Sequence, residues 1–249
     1  RWMDVIRRRN RIPFATQRPI DPVTGAKGQP AIDFEGLTST IGLVGGNEMA
    51  QWHTGYQLHE NSEAVKILVK LILEMQNYKK ELEARTGLKL ALARTPAEST
   101  AQRFAIADLL SQDYHDYAEK TVKGDKPKAK QMLAEGEKDV SIYYNNGTHV
   151  YVGANVGLLD KINIEQKFFP LLTGGNMLHV WLGEASPDPE SLYKLTKRIA
   201  NQTQIGYYAY TKDLTICNNC GTVSPLMSKL CPNCGSDNIE WWSRVTGYY

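Results

Sequence analysis

The 249 residues contain four cysteines, as CNNC at 217–220 and CPNC at 231–234. The spacing C-x2-C-x10-C-x2-C sets two pairs of thiols on two tight turns, a way to present four thiolates to one tetrahedral ion. Cys217, Cys220, Cys231 and Cys234 are therefore read as zinc ligands. Two disulfides are the alternative; they need a secreted context for which the sequence gives no sign, so the expected compartment is the reducing cytoplasm. Four thiolates close the coordination sphere, which makes the expected role structural. Gly221 and Gly235 follow the two pairs and are expected to let backbone amides turn toward sulfur. Such a module either holds a fold together or binds nucleic acid. Lys229 stands without a basic run around it, which favours the first reading.

A second chemical signal is the ending WWSRVTGYY. Chain ends are usually polar and tolerant of change, whereas this one is aromatic and β-branched around Gly247. It reads as a segment that goes inside something. A glycine in a terminal turn is the plainer alternative.

Several elements precede these features. STIGLVG (39–45) is short, apolar and β-branched, which predicts a buried strand. Residues 62–85 predict a helix, since Ile67, Leu68, Leu71, Ile72, Met75 and Tyr78 recur at three- and four-residue steps. Asn61 or Ser62 caps its start and Gly87 its end. Further strands are expected at 88–95, 140–144, 177–183 and 204–211, and helices at 99–112 and 190–202. Residues 13–36 read as a long ordered loop or linker, and the lysine-rich stretch 112–138 as a polar surface excursion around a short helix. Alternating strands and helices imply an α/β fold with crossover connections. The cysteine module is separate and too small to fold without its metal.

Composition bounds the rest. A net charge of +2 gives no whole-chain field for nucleic acid or an acidic membrane. Hydrophobic content of 42%, charged content of 22% and a mean hydropathy of −0.41 suit a globular protein. No apolar run approaches a membrane span, and no leader pattern opens the chain. The start at Arg1 reads as that of a fragment or a processed piece.

RVTGYY placed directly after a four-cysteine module resembles the C-terminal end of the anaerobic (class III) ribonucleotide reductases, which are glycyl radical enzymes. Other stretches resemble the same family in the same order: STIGLVGGNEM (39–49), TPAES with Arg103 and Phe104 (95–104), YYNNGTHV (143–150) and LLTGGNMLHVWLGE (171–184). The resemblance implies the second half of a ten-stranded α/β barrel over 1–212, a zinc ribbon over 213–240 and a glycyl radical loop over 241–249. Gly247 is then the radical glycine. Only glycine suits that role, because a side chain would hinder the near-planar radical centre.

The resemblance also implies a reaction: radical reduction of ribonucleoside triphosphates to deoxyribonucleotides, with the radical installed by an iron–sulfur activase that uses S-adenosylmethionine. The reductant is formate or a thiol donor, and the complete enzyme is expected to be a homodimer. The family also needs a cysteine that carries a thiyl radical, yet all four cysteines here belong to the metal module. The thiyl cysteine is therefore expected on an N-terminal portion outside this sequence.

Substrate-binding candidates follow from the same resemblance. Thr173, Gly174 and Gly175 bring backbone amides toward a phosphate or ribose, or form a plain turn. Asn145, Asn146 and His149 follow a predicted strand, where such folds place their sites, or make a structural turn. Glu98 either faces the site or caps the helix it begins. Two other readings stand beside the reductase: a standalone spare part that supplies a fresh radical loop to a damaged enzyme, and a zinc-ribbon nucleic-acid-binding protein.

Overall fold

A computed structural model describes residues 18–29, 36–95, 97–183, 186–225 and 227–242, with the backbone but not the side chain of Glu98. Strand β1 (Thr38–Leu43) pairs in parallel with β2 (Lys89–Arg94), Thr38 lying opposite Lys89 and Leu43 opposite Arg94. Parallel neighbours need a crossover, supplied by α1 (Gly46–Thr54) and α2 (Ser62–Thr86). The predicted caps hold for α2: the Asn61 side chain accepts from the Glu63 amide at 2.9 Å, and Gly87 adopts φ 69°. The unexpected element is α1, masked in the sequence by its own glycines. Gly45 turns the chain at φ 74°, and a Cβ on Gly46 would come within 2.6 Å of the Gly147 carbonyl oxygen.

Strand alternation explains which side chains face where. Leu43 and Leu92 enter a core with Leu58, Leu68, Ile72 and Phe168, whereas Thr40, Gly42 and Ala93 line the opposite, open side. Full burial of each such aliphatic or aromatic side chain contributes about 1.5–3 kcal/mol.

A second parallel pair, β5 (Leu178–Trp181) with β6 (Tyr208–Thr211), is joined by α7 (Pro189–Gln202). Its core is Ile162, Leu178, Val180, Ile199 and Ile205. Asp188 caps α7 by accepting from the Ser191 amide at 2.9 Å. Helix α6 (Leu158–Glu165) runs directly into a 3-10 turn at Gln166–Leu171. The two parallel pairs meet where Gly175 bridges Ala93 in parallel.

Between the pairs lie α3 (Glu98–Leu110), α4 (His115–Thr121), β3 (Lys123–Gly124), α5 (Lys126–Ala134) and β4 (Ile142–Tyr143). The stretch expected to be a surface excursion is instead half core. Ala118, Val122 and Ala129 are buried with Ala105, Leu109, Ile142 and Tyr144. Two short helices turn small residues inward while their lysines radiate outward, so composition alone misreads them.

The cysteine module is a three-stranded antiparallel sheet in the order β8 (Val223–Pro225), β7 (Leu214–Cys217), β9 (Ile239–Trp242). None of the three apolar clusters among the described residues draws a side chain from it. No helix among the described residues is long and apolar enough to cross a membrane.

Candidate active-site cleft and cysteine cluster

A cleft of about 690 Å³ opens at the carboxyl ends of β1 and β2, on the side of the strands turned away from α2. Open α/β sheets place ligands at that end of their strands. Gly42 is required there because a Cβ would fall 1.7 Å from Thr95 Oγ1. Thr100, in the first turn of α3, and Phe104 add to the wall. Just before α3, Ala97 holds a left-handed φ of 64°, the sole non-glycine residue with positive φ among those described. Such strain persists where the surroundings fix the backbone, often at ligand sites.

Gly174 and Gly175 also line this cleft. The Gly174 amide donates to Leu92 O at 2.7 Å and the Arg94 amide to Gly175 O at 2.9 Å. A Cβ on Gly174 would lie 2.9 Å from both Ala91 Cβ and Leu92 O, so this close approach requires glycine. Thr173 is exposed and is not part of the cleft wall. The described backbone of Glu98 starts α3.

Asn145, Asn146 and His149 lie on a buried loop clamped at both ends by carboxylates. Glu48, at the start of α1, accepts from the Asn145 amide at 3.1 Å, and Glu165, at the end of α6, accepts from the Val150 amide at 3.1 Å. Burial pushes the Glu48 carboxyl above its ordinary value, opposed by Lys123 at 3.9 Å. Asn145 Nδ2, Asn146 Oδ1 and Thr148 Oγ1 are buried without a hydrogen-bond partner. The structure therefore brings the 145–149 and 174–175 candidates to the ends of neighbouring strands.

Sequence reasoning missed the residue that joins them. The Arg94 side chain is fully buried and ion-paired with Glu165. Its Nη1 donates to Asn176 Oδ1 at 2.9 Å and its Nε to His149 Nδ1 at 3.0 Å. Lys161 sits 4.0 Å from the other oxygen of Glu165 and donates to His179 O at 3.2 Å. Burial lowers both Arg94 and Lys161 from their ordinary pKa, and the carboxylate between them opposes the fall. His149 is driven well below the usual histidine value, first by burial and then by Arg94, so it is neutral at pH 7. The available signal was an arginine closing the strand LKLALAR.

The four sulfurs of the cysteine module lie within 4.8 Å of one another, with Cys217–Cys234 and Cys220–Cys231 each at 3.6 Å. Disulfides require about 2.05 Å, while a tetrahedron of thiolates about 2.3 Å from zinc has edges of about 3.8 Å. The donor set fits a metal. Its two knuckles repeat one another: Gly221 N donates to Cys217 O and Gly235 N to Cys231 O, both at 2.9 Å. The glycine amides themselves close on carbonyls, while the Asn233 amide reaches Cys231 Sγ at 3.4 Å and the Thr222 and Ser236 amides, one residue past each glycine, turn toward the sulfurs of Cys220 and Cys234. Thr222 pulls the Cys220 thiol down to about 6, while Cys234, in spite of the Ser236 amide, is pushed up to about 11 by Cys220, by burial and by the other sulfurs. Gly247 lies outside the described residues.

Comparison with known proteins places this geometry. The family model described as anaerobic ribonucleoside-triphosphate reductase matches residues 1–249. The chain is 24% identical over 186 residues to the anaerobic ribonucleoside-triphosphate reductase of Enterobacteria phage T4, and 25% identical over 227 residues to that of Escherichia coli (strain K12). These alignments cover 72% and 88% of the chain, which spans only 27% of the length of each relative. A crystal structure of the anaerobic ribonucleotide reductase from Thermotoga maritima in complex with dATP and CTP superposes with a TM-score of 0.61 at 19% identity, over 85% of this chain and 31% of that one. The chain belongs to the anaerobic ribonucleoside-triphosphate reductase family.

Proposed function

We propose that the chain is the C-terminal catalytic portion of an anaerobic ribonucleoside-triphosphate reductase, an oxidoreductase that makes deoxyribonucleotides by radical chemistry. The observation that carries this reading is a family match over every residue of the chain, coupled to a cleft at the ends of parallel strands. In this reading residues 1–212 are the second half of the catalytic barrel, 213–240 a zinc ribbon and 241–249 the radical loop. Gly247 holds the stable radical, installed by an S-adenosylmethionine activase. The thiyl cysteine that begins reaction on the ribose comes from the N-terminal portion, since this chain's four cysteines converge on one metal-type site.

Zinc, when bound, neutralises the four thiolates and ties the two knuckles together, so its contribution is structural. The chain's own residues bind and orient the nucleotide: Gly174 and Gly175 through close backbone approach, Asn145, Asn146 and His149 through the clamped loop, with Thr173 and Glu98 at the margin. Formate or a thiol supplies the electrons, the complete enzyme is a homodimer, and the setting is the cytoplasm. The nucleic-acid reading is disfavoured by the module's charge. One lysine (Lys229) faces two acids (Asp237 and Glu240) between Cys217 and Trp242, whereas nucleic-acid affinity rests on phosphate neutralisation.

The test is an anaerobic electron paramagnetic resonance spectrum after incubation with activase and S-adenosylmethionine, for this chain alone and with the N-terminal portion. A doublet that collapses on Cα deuteration of glycine, and that Gly247→Ala abolishes, is expected. No doublet in either sample, with zinc bound and the activase competent, would overturn the radical assignment. A doublet from the chain alone would show that it carries the whole activation determinant.

A further inference from the structure

Arg94 does more than balance Glu165. A guanidinium carries five N–H donors and no acceptor, so whatever it touches must offer a lone pair. At Asn176 this decides the amide orientation: Oδ1 faces Arg94 Nη1 at 2.9 Å, and Nδ2 must point the other way. Nδ2 is buried without a hydrogen-bond partner, and Asn176 is part of the wall of the 690 Å³ cleft.

At His149 the same logic decides the tautomer. Nδ1 lies 3.0 Å from Arg94 Nε and 2.7 Å from the Asn146 carbonyl oxygen. These contacts compete for one nitrogen, because donation to the carbonyl needs an Nδ1–H that would confront the Arg94 N–H. The guanidinium keeps its protons, so Nδ1 is the acceptor and the ring proton sits on Nε2. Gly147 makes the arrangement possible: a Cβ there would lie 2.6 Å from Arg94 Cγ.

We infer that Arg94 is a positioning residue of the cleft, one that fixes Asn176 with its amide donor turned from the guanidinium and left for a ligand, and His149 as the Nε2–H tautomer. One side chain thereby sets the hydrogen-bonding polarity of two segments, the turn at 173–177 and the loop at 145–149. The group Asn176 receives is an acceptor oxygen of the ligand. The positioning stands on this chain's geometry alone, whereas the identity of the ligand as a ribonucleotide rests on the function proposed above.

Nitrogen-15 spectra of the histidine-labelled full chain at pH 7 test the positioning directly. Wild type is expected to show His149 protonated at Nε2 and bare at Nδ1, and Arg94→Lys, which keeps the charge but loses the fork, to release that tautomer. An Nδ1–H ring in wild type, or an unchanged tautomer in folded Arg94→Lys, overturns the inference.

Asn176→Asp supplies the second arm: it keeps an oxygen for Arg94 Nη1 but trades the donor for a negative charge, so its effect is read beside Asn176→Ala, which removes the donor and adds no charge. Both should leave the His149 tautomer as it is and weaken CTP binding to the reconstituted reductase, Asn176→Ala about tenfold and Asn176→Asp by more, because its charge meets the triphosphate. Wild-type affinity in Asn176→Ala overturns the ligand role of Asn176. If wild type itself binds no CTP, the ribonucleotide reading and that ligand role fall together, and the tautomer spectra still decide for or against Arg94.

Discussion

The cluster around Arg94 and the cysteine module are both polar centres, the first fully buried and the second with Cys220 and Cys234 exposed, and they are supported in opposite ways. Arg94 draws its partners from three segments, Leu92 and Val150 of the first apolar core adjoin the strand and loop that meet there, and the Phe169 ring centroid lies 5.9 Å from the guanidinium carbon. The module has no such backing. Trp241 and Trp242 are 55% and 52% exposed on β9, and the buried residues among those described in the module are Thr215, Cys217 and Cys231. Charge is tolerated in the first region because apolar packing already holds the backbone. In the second, the centre has to do the holding. Chelation, mutation and acid should therefore separate the two.

The largest effect is expected from metal removal. Structural zinc contributes about 10–16 kcal/mol to small zinc-binding peptides, far more than any apolar contact available to β7–β9. A strong chelator should withdraw one zinc per chain and abolish hydrogen-exchange protection across 214–242, while amides of α2 and β2 stay protected. Metal analysis with exchange mass spectrometry reads both. Loss of protection throughout the chain would show that the two regions are one cooperative unit.

Arg94→Met should reverse the pattern. Removing one partner of a buried pair strands the other and costs about 3–5 kcal/mol, here by leaving Glu165 beside Lys161 alone. Urea denaturation should show that loss with the zinc content unchanged. The double variant Arg94→Met with Glu165→Leu should lose less than Arg94→Met does. An additive or greater loss would argue that the pair holds the loop through its hydrogen bonds more than through its charge.

The same contrast explains what the sequence disclosed. The module was legible because its chemistry is local: four cysteines at fixed short spacing define the site. Helix α2 was legible as well, from periodicity and two caps, and runs Ser62–Thr86 against an expected 62–85. The Arg94 cluster was not, because its partners lie 55, 71 and 82 residues away in sequence. No local pattern encodes such a meeting; the crossover α1–α2 and the Gly175 bridge create it. Family resemblance located the loops that carry Asn145, His149 and Gly174 but not the residue that orients them. Helix α1 was lost because Gly45 and Gly46 at its start carry no side-chain cap of the kind that marked α2; Gly45 turns the chain at φ 74°, Gly46 packs against Gly147, and Gly42 in the strand before them packs against Thr95.

A smaller effect probes that packing. Gly42→Ala drives a methyl group into Thr95, and overpacking of this kind costs about 1–3 kcal/mol. Adding Thr95→Ala should recover part of the loss, since Oγ1 disappears while its Cβ remains 2.8 Å from the new methyl. Urea midpoints of the two variants against wild type measure it. No loss in Gly42→Ala would mean that Thr95 turns freely into the cleft.

The smallest effect concerns protons, and it sets the two regions apart under the same condition. His149 has a folded pKa well below its ordinary value of 6.5. Between the two values the unfolded chain binds the extra proton and the folded chain does not, so stability falls as pH drops through that window and is restored above it. The slope is about 1.4 kcal/mol per pH unit for one such group. The groups responsible beyond burial are Arg94, Lys161 and His179, all cationic or able to become so. Glu48 acts with the opposite sign, since a carboxyl held above its ordinary value favours the folded state at lower pH. The His149 contribution is therefore read as a difference: urea midpoints from pH 7.5 to 5 should fall less steeply in His149→Gln than in wild type. Acid also releases metal from thiolates, so zinc content measured across the same series assigns each loss to its region. Parallel slopes in the two proteins would place the acid sensitivity in the cysteine module and leave the Arg94 cluster indifferent to pH.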